Sequence, residues 1–365
     1  MKKHLLLFCL LLACGMLHAQ DMSVLTSPVI NPNGTITFRI KAPAAQRVEV
    51  RGQFMSGTAP LIKGTDGIWS VTLPSPTADI YPYNLVIDGL EVADPGNPHI
   101  FPNETFKASL LEIPYPNALY TVNPVPHGKV QYGIYQSHVL NQYRNVLVYT
   151  PAEYDQNPTK KYPVFYLISG TTDTEETWFK VGRANTILDN LIARQQAEPM
   201  IIVMPYGYMN TGVTPGPSTM AAAEKYVTFA QELTACVMPF VEQNYRTIND
   251  RDHRAIAGFS RGGGQAMFTA LQHPDKFAWL ASYSAYLTPE CMDKYFPNLV
   301  KDANSFQMLW LGVGTSDFLY QGVIDNLNYF KTKDIRHQQV IREGSHTWMH
   351  ARFCLAETLK KMFQK

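Results

Sequence analysis

From about Ser23 to Ile113, apolar and polar residues alternate in short runs, "GTITFRI", "RVEVRGQF", "GIWSVTL" and "YPYNLVIDG", each closed by Pro, Asn, Asp or Gly. Alternation at period two buries one face of a strand and wets the other, and turn residues every ten positions or so fold such strands back on each other, which predicts a small antiparallel sandwich. A proline-rich stretch follows, "IPYPNALYTVNPVPHGKV". Repeated proline removes N–H donors and fixes φ, so residues 116–126 read as a semi-rigid linker. The pattern then changes. After the alternating "RNVLVYTP" come continuous apolar runs, "YPVFYLISG", "PMIIVMPYG", "HRAIAGFS", "SFQMLWLGVG" and "HQQVIREG", separated by helical stretches such as "ANTILDNLIARQQ" and "YVTFAQELTACVMPFVEQNY". Strands apolar on both faces belong to a sheet covered on both sides, so residues 127–365 predict an α/β unit with a mostly parallel sheet. The sandwich is set at 20–115.

Between one such strand and a helix lies Gly258-Phe259-Ser260-Arg261-Gly262, a G-x-S-x-G pentapeptide. In a strand–turn–helix context the glycines let a sharp turn close, and the turn lifts the serine hydroxyl to the carboxyl edge of the sheet beside the first helical N–H groups. A serine hydroxyl becomes a useful nucleophile only when a base takes its proton and an acid orients that base. In this fold type both partners follow the serine in the chain, the acid before the base. "VIREGSHTWMHARF" offers His346 directly after a strand, ahead of His350 one helical turn on, while His337 precedes that strand and His273 ends a helix. "LWLGVGTSDFLY" offers Asp317 just past a strand, ahead of Asp325 in the following helix. The oxyanion of acyl transfer needs two N–H donors, expected from Arg261 and from Thr171 or its neighbour Gly170.

Composition narrows the field. With 31 Lys and Arg against 30 Asp and Glu, the net charge of +1 gives no electrostatic reason to expect nucleic acid as a partner. The leader "MKKHLLLFCLLLACGMLHAQ" combines two lysines, an apolar run and a small-residue exit, which fits a signal peptide over 1–19 and an exported protein, periplasmic or extracellular; acylation of Cys14 and membrane tethering is the rival reading. No later run is long enough to span a bilayer. Past the leader only Cys236, Cys291 and Cys354 remain, too far apart for zinc or redox spacing, and they read as buried free thiols.

"YPVFYLISG", "ETWFKVGRANTILDNLIARQQAEPMIIVMP", "GFSRGGGQA" and "GSHTWMHAR" resemble, in order and spacing, carbohydrate esterase family 1, the feruloyl and acetyl-xylan esterases, with the enterochelin and esterase D-like enzymes as more distant kin. The resemblance runs from about His127 to the end of the chain. "DGIWSVTL" and "YPYNLVIDGLEVADPGNP" are similar to the immunoglobulin-like early-set domain related to carbohydrate-binding module family 48. It implies an α/β-hydrolase domain behind a small all-β sandwich, a triad on Ser260, Asp317 and His346, no metal or organic cofactor, and plant cell-wall polysaccharide, feruloylated or acetylated xylan, as the substrate. Two positions depart from the family pattern: Ser169-Gly170 where many relatives have His-Gly, and Arg261 where many have an apolar residue. Trp178, Tyr206, Tyr286, Phe318 and Trp348, with Tyr208, fall where they would ring the nucleophile and stack on a phenolic acyl group, whereas Trp69 reads as a core residue of the sandwich. The preferred reading is a serine hydrolase releasing ferulate from xylan; acetyl-xylan esterase, siderophore-lactone esterase and a non-catalytic glycan binder are its rivals.

Overall fold

The computed structural model describes residues 25–209 and 220–364, so the leader and Cys14 lie outside the described residues. The chain divides into two units, one of residues 25–76 with Tyr83–Ile100, the other of Thr77–Pro82 with 101–364.

In the first unit two antiparallel sheets form from the alternating runs: Val29–Ile30, Thr35–Lys41, Ile68–Pro74 and Ile62–Lys63 in one, Ala59–Pro60, Val48–Gly52, Ile80–Ile87 and Leu90–Val92 in the other. Phe38 of the first sheet meets Tyr83 of the second edge to face, with ring centroids 5.1 Å apart, so the apolar faces pack on each other. Trp69 is buried, and its indole N–H donates to the Ala42 carbonyl at 2.9 Å, as its alternating position predicts.

The second unit holds an eight-stranded sheet. In chain order its strands are β1 (Lys129–Ser137), β2 (Gln142–Thr150), β3 (Val164–Ile168), β4 (Ile201–Pro205), β5 (Arg254–Phe259), β6 (Trp279–Tyr283), β7 (Met308–Gly314) and β8 (Gln338–Arg342). Their spatial order is β1-β2-β4-β3-β5-β6-β7-β8, antiparallel from β1 through β4 and parallel from there on. Successive side chains serve opposite faces. Val164, Tyr166 and Ile168 of β3 join a cluster with Ala266 and Met267 on one side, while Phe165 and Leu167 join Trp178, Leu188 and Leu355 on the other. Strand β8 departs from expectation, because it ends the sheet and four of its five residues are exposed.

The boundary also differs from the one expected at 115. Phe101, Ala108 and Leu110 are buried with Leu147 and Phe165 of the eight-stranded sheet, so their apolar area belongs to the second core. Residues 116–126 are therefore no linker between units. They are strapped to the helix Ala184–Ala193: Asn190 donates to the carbonyls of Leu119 and Thr121 at 2.8 and 2.9 Å, and Asn123 donates to Asn190 at 2.9 Å. The three cysteines are free and buried. Among the described residues no helix is long and apolar enough to cross a membrane.

Candidate active site

Ser260 stands at the end of β5 with φ 56° and ψ −125°, a positive-φ conformation costly for any residue with a Cβ, and caps the helix Arg261–Gln272. The turn closes only because its neighbours are glycine. A Cβ on Gly258 would fall 2.3 Å from the backbone of Gly262, and one on Gly262 2.3 Å from the Ile168 carbonyl oxygen. Gly263 and Gly264 donate to the Ser260 carbonyl at 2.9 and 3.1 Å. The N–H groups of Arg261 and Gly262 therefore precede the first intrahelical bonds and point outward from the helix start.

Asp317 and His346 come together from two adjacent loops, after β7 and after β8. Close contact between the loops sets them: Ser316 donates to the Gly344 carbonyl at 2.8 Å, and Thr315 to that of Arg342 at 2.8 Å. His346 Nδ1 lies 2.9 Å from Asp317 Oδ2 and 3.0 Å from Oδ1, the Asp317 side chain being fully buried. Burial acts to raise the Asp317 carboxyl, but the hydrogen bond and charge of His346 and the N–H of Leu319 outweigh it and hold the group below the usual carboxylate range. The imidazole contacts two rings: Phe259, adjacent to the serine, stacks with its centroid 4.7 Å away, and Phe318 meets it tilted at 4.4 Å. With Nδ1 on the carboxylate, Nε2 is the atom free to exchange a proton.

The rival residues fall elsewhere. His350 is buried, its Nε2 is 3.3 Å from Cys354 Sγ, and burial pushes it down to about 4. His337 Nδ1 lies 2.8 Å from the Ile335 carbonyl oxygen, and His273 caps the end of its helix. Asp325 is exposed on the helix Tyr320–Thr332 and accepts from Gln321.

The loop after β3 lies against the serine: a Cβ on Gly170 would be 3.5 Å from Ser260 Cβ. Of the two expected donors, the Gly170 N–H is already engaged with Asp173 Oδ2 at 3.1 Å. Sequence reasoning missed Asp173 and the groups that support it. Its Oδ1 accepts from Asn103 at 3.1 Å, Glu104 N–H reaches the Thr172 carbonyl at 2.8 Å, and the Thr177 hydroxyl reaches that of Pro102 at 2.8 Å. Burial pushes the Asp173 carboxyl up to about 7, against the opposing pull of Arg261, Asn103 and the Gly170 N–H.

Of the aromatics expected at the mouth, two belong to the core. Trp178 is fully buried with its N–H on the Ile168 carbonyl at 2.9 Å, and buried Trp348 meets it edge to face at 4.8 Å. Both rings join one apolar cluster with Phe259 and Tyr283, and for Trp178 the satisfied N–H removes the cost of that burial. Tyr286 is half-buried and packs where any Gly322 side chain would stand. Tyr206, with Tyr208 beside it at 6.2 Å, donates to Glu104. Phe318 is 71% exposed, an apolar wall beside His346.

Comparison with known proteins matches residues 137–361 to the model of a family described as putative esterase. An endo-1,4-β-xylanase/feruloyl esterase of Xylanibacter ruminicola is 28% identical over 345 residues, which are 92% of this chain and 46% of that protein. Endo-1,4-β-xylanase Y of Acetivibrio thermocellus is 31% identical over 235 residues, 60% of this chain and 19% of that protein. The chain thus spans less than half the length of either relative. Among solved structures, a ferulic acid esterase superposes with a TM-score of 0.57 at 28% identity, covering 64% of this chain and 97% of that one. The enterobactin esterase of Shigella flexneri superposes with a TM-score of 0.62 at 18% identity, covering 90% of this chain and 93% of that one, a likeness of fold.

Proposed function

Since the chain belongs to the putative esterase family and is a carboxylic-ester hydrolase, we propose that it is an exported serine esterase releasing hydroxycinnamate, feruloyl above all, from plant cell-wall xylan. Ser260 Oγ attacks the ester carbonyl as His346 Nε2 takes its proton, and the tetrahedral oxyanion is held by the N–H groups of Arg261 and Thr171. His346 returns the proton to the leaving sugar oxygen, leaving an acyl-enzyme; water, deprotonated by the same imidazole, then frees the acid. Asp317 keeps Nδ1 protonated and steadies the imidazolium that forms at each step.

The observations that support the mechanism are the 2.9 Å His346–Asp317 pair and, separately, a serine held in a strained strand–helix turn. For the acyl group the support is the likeness over 92% of the chain to a protein named xylanase/feruloyl esterase, together with the exposed ring of Phe318 next to the imidazole. A planar phenolic acid gains about 25 cal/mol per Å² of apolar area buried on such a wall, and an acetyl group gains little. We read the first unit as an immunoglobulin-like early-set module that accompanies the esterase. The test is kcat/KM on methyl ferulate, acetylated xylo-oligosaccharide and a linear enterobactin ester under identical conditions. Ferulate is expected to lead by about tenfold or more; acetylated substrate leading by that margin would leave the triad standing and remove the feruloyl assignment.

A further inference from the structure

Arg261 follows the nucleophile, and its side chain is the least explained group near the site. Its Nε and Nη2 atoms are buried without a hydrogen-bond partner. Among the described residues it forms no ion pair, although Asp173 and Glu104 are its nearest carboxylates in electrostatic terms. One helical turn on, the buried Gln265 donates through Nε2 to the Gly207 carbonyl at 2.8 Å, which fixes the amide orientation and leaves Oε1 as an acceptor, and it too is unpartnered. The two unmet atoms face one place. A Cβ on Gly207 would lie 2.9 Å from Gln265 Oε1, 3.2 Å from Arg261 Nη2 and 3.2 Å from Ile168 Cγ2.

A buried donor and a buried acceptor left unsatisfied are each costly, because neither recovers the hydrogen bonds it gave up to water. What relieves both is a group that accepts from one and donates to the other. A second carboxylate does not, because it offers no proton to Oε1 and would add a further negative charge near Glu104 and Asp173. A hydroxyl does. We propose, resting on the esterase reading above, that Gly207, Arg261 and Gln265 form a subsite for a hydroxyl group of the ester substrate, its oxygen accepting from Arg261 Nη2 and its proton going to Gln265 Oε1. Side chains at this subsite then set specificity without touching the reacting carbonyl. The hydroxyl has two sources in such an ester, the phenol of the acyl group or a hydroxyl of the sugar alcohol.

The experiment measures two ratios of kcat/KM on the full chain: methyl 4-hydroxycinnamate against methyl cinnamate for the phenol, and 5-O-cinnamoyl arabinose against methyl cinnamate for the sugar. In wild type at least one ratio is expected to exceed about tenfold. In Arg261→Met and in Gly207→Ala, whose added methyl fills the space and presses Gln265 Oε1 aside while keeping both side chains, that ratio should fall to within about twofold of unity. Which ratio collapses identifies the source. Thermal melts establish that each variant is folded, and Gly207→Ala keeps the test open if Arg261→Met is not. If wild type hydrolyses these cinnamates but neither ratio moves in a folded variant, the proposal is overturned and the two atoms hold only water. If wild type hydrolyses none of them, it is the hydroxycinnamate reading that fails.

Discussion

On one side of Ser260, Asp317 and His346 satisfy each other: a fully buried carboxylate held low, an imidazole 2.9 Å away, two rings against that imidazole. On the other, Asp173 is pushed up to about 7 while Arg261 and Gln265 keep buried atoms without partners. The acid–imidazole pair leaves neither partner unmet. The other side holds unmet polarity, of the kind a substrate would relieve on binding. The difference separates a satisfied acid–imidazole pair from a side whose buried polar groups lack partners, and it is open to attack from both sides.

The largest effect belongs to the triad. Ser260→Ala or His346→Ala should each lower kcat by about 10⁶, and Asp317→Asn by about 10⁴, because the three act as one unit and the residual rate comes from binding and the oxyanion hole. His350→Gln should stay within a few-fold of wild type, since that ring faces Cys354 rather than the acid pair. Initial rates on methyl ferulate decide it, and a dead His350→Gln beside an active His346→Ala would reverse the assignment of the base.

Next in size is Asp173. It holds the Gly170 N–H at 3.1 Å and is itself held by Asn103, so it fixes the loop backbone on which the proposed Thr171 donor lies. Loss of a donor outright costs about 10² to 10³ in kcat; slackening its loop should cost less, about 10-fold to 10²-fold. Asp173→Ala is therefore expected to lower kcat by that factor with KM changed less than about threefold. A rise in KM at constant kcat would make Asp173 a ground-state binding residue instead.

How much of the molecule is legible in its sequence follows the same division. The elbow and the acid each sit within a few residues of an apolar strand end, and such runs announce themselves by composition: β5 and β7 are buried almost throughout, whereas the base follows the exposed edge strand β8. Asn103 and Asp173 give no such signal. Asn103 stands in "DPGNPHIFPNETFK", a stretch without period, which proximity in sequence assigns to the sandwich although its neighbours Phe101 and Ala108 pack in the second core. Truncating the chain to begin near Asn117 would delete that support and would not isolate the esterase unit. Trp178 and Trp348 mislead for the complementary reason, since loop position in the chain says nothing of which way a ring turns, and both rings turn inward. A buried acid on a loop is readable only once the loop has a partner.

The smallest predicted effect is on stability, where the two sides titrate with opposite sign. His350 is pushed down to about 4 by burial, against an ordinary 6.5, so between those values the unfolded chain binds the extra proton and stability rises with pH. Asp173 is pushed up to about 7 from 3.8; between those values it is the folded chain that holds the extra proton, and stability falls as pH rises. In wild type the two trends oppose each other from about pH 4 to 6.5, and above that only Asp173 still contributes. Removing one exposes the other. Relative to wild type, Tm of Asp173→Asn should climb from pH 4 to 7, and that of His350→Gln should fall from pH 4 to 6.5, each by a few degrees for a unit of this size. Melting curves at half-unit steps test both. Parallel Tm profiles for Asp173→Asn and wild type would mean that Asp173 is ionised in the fold at all these pH values, and that the oxyanion side carries its charge as openly as the triad does.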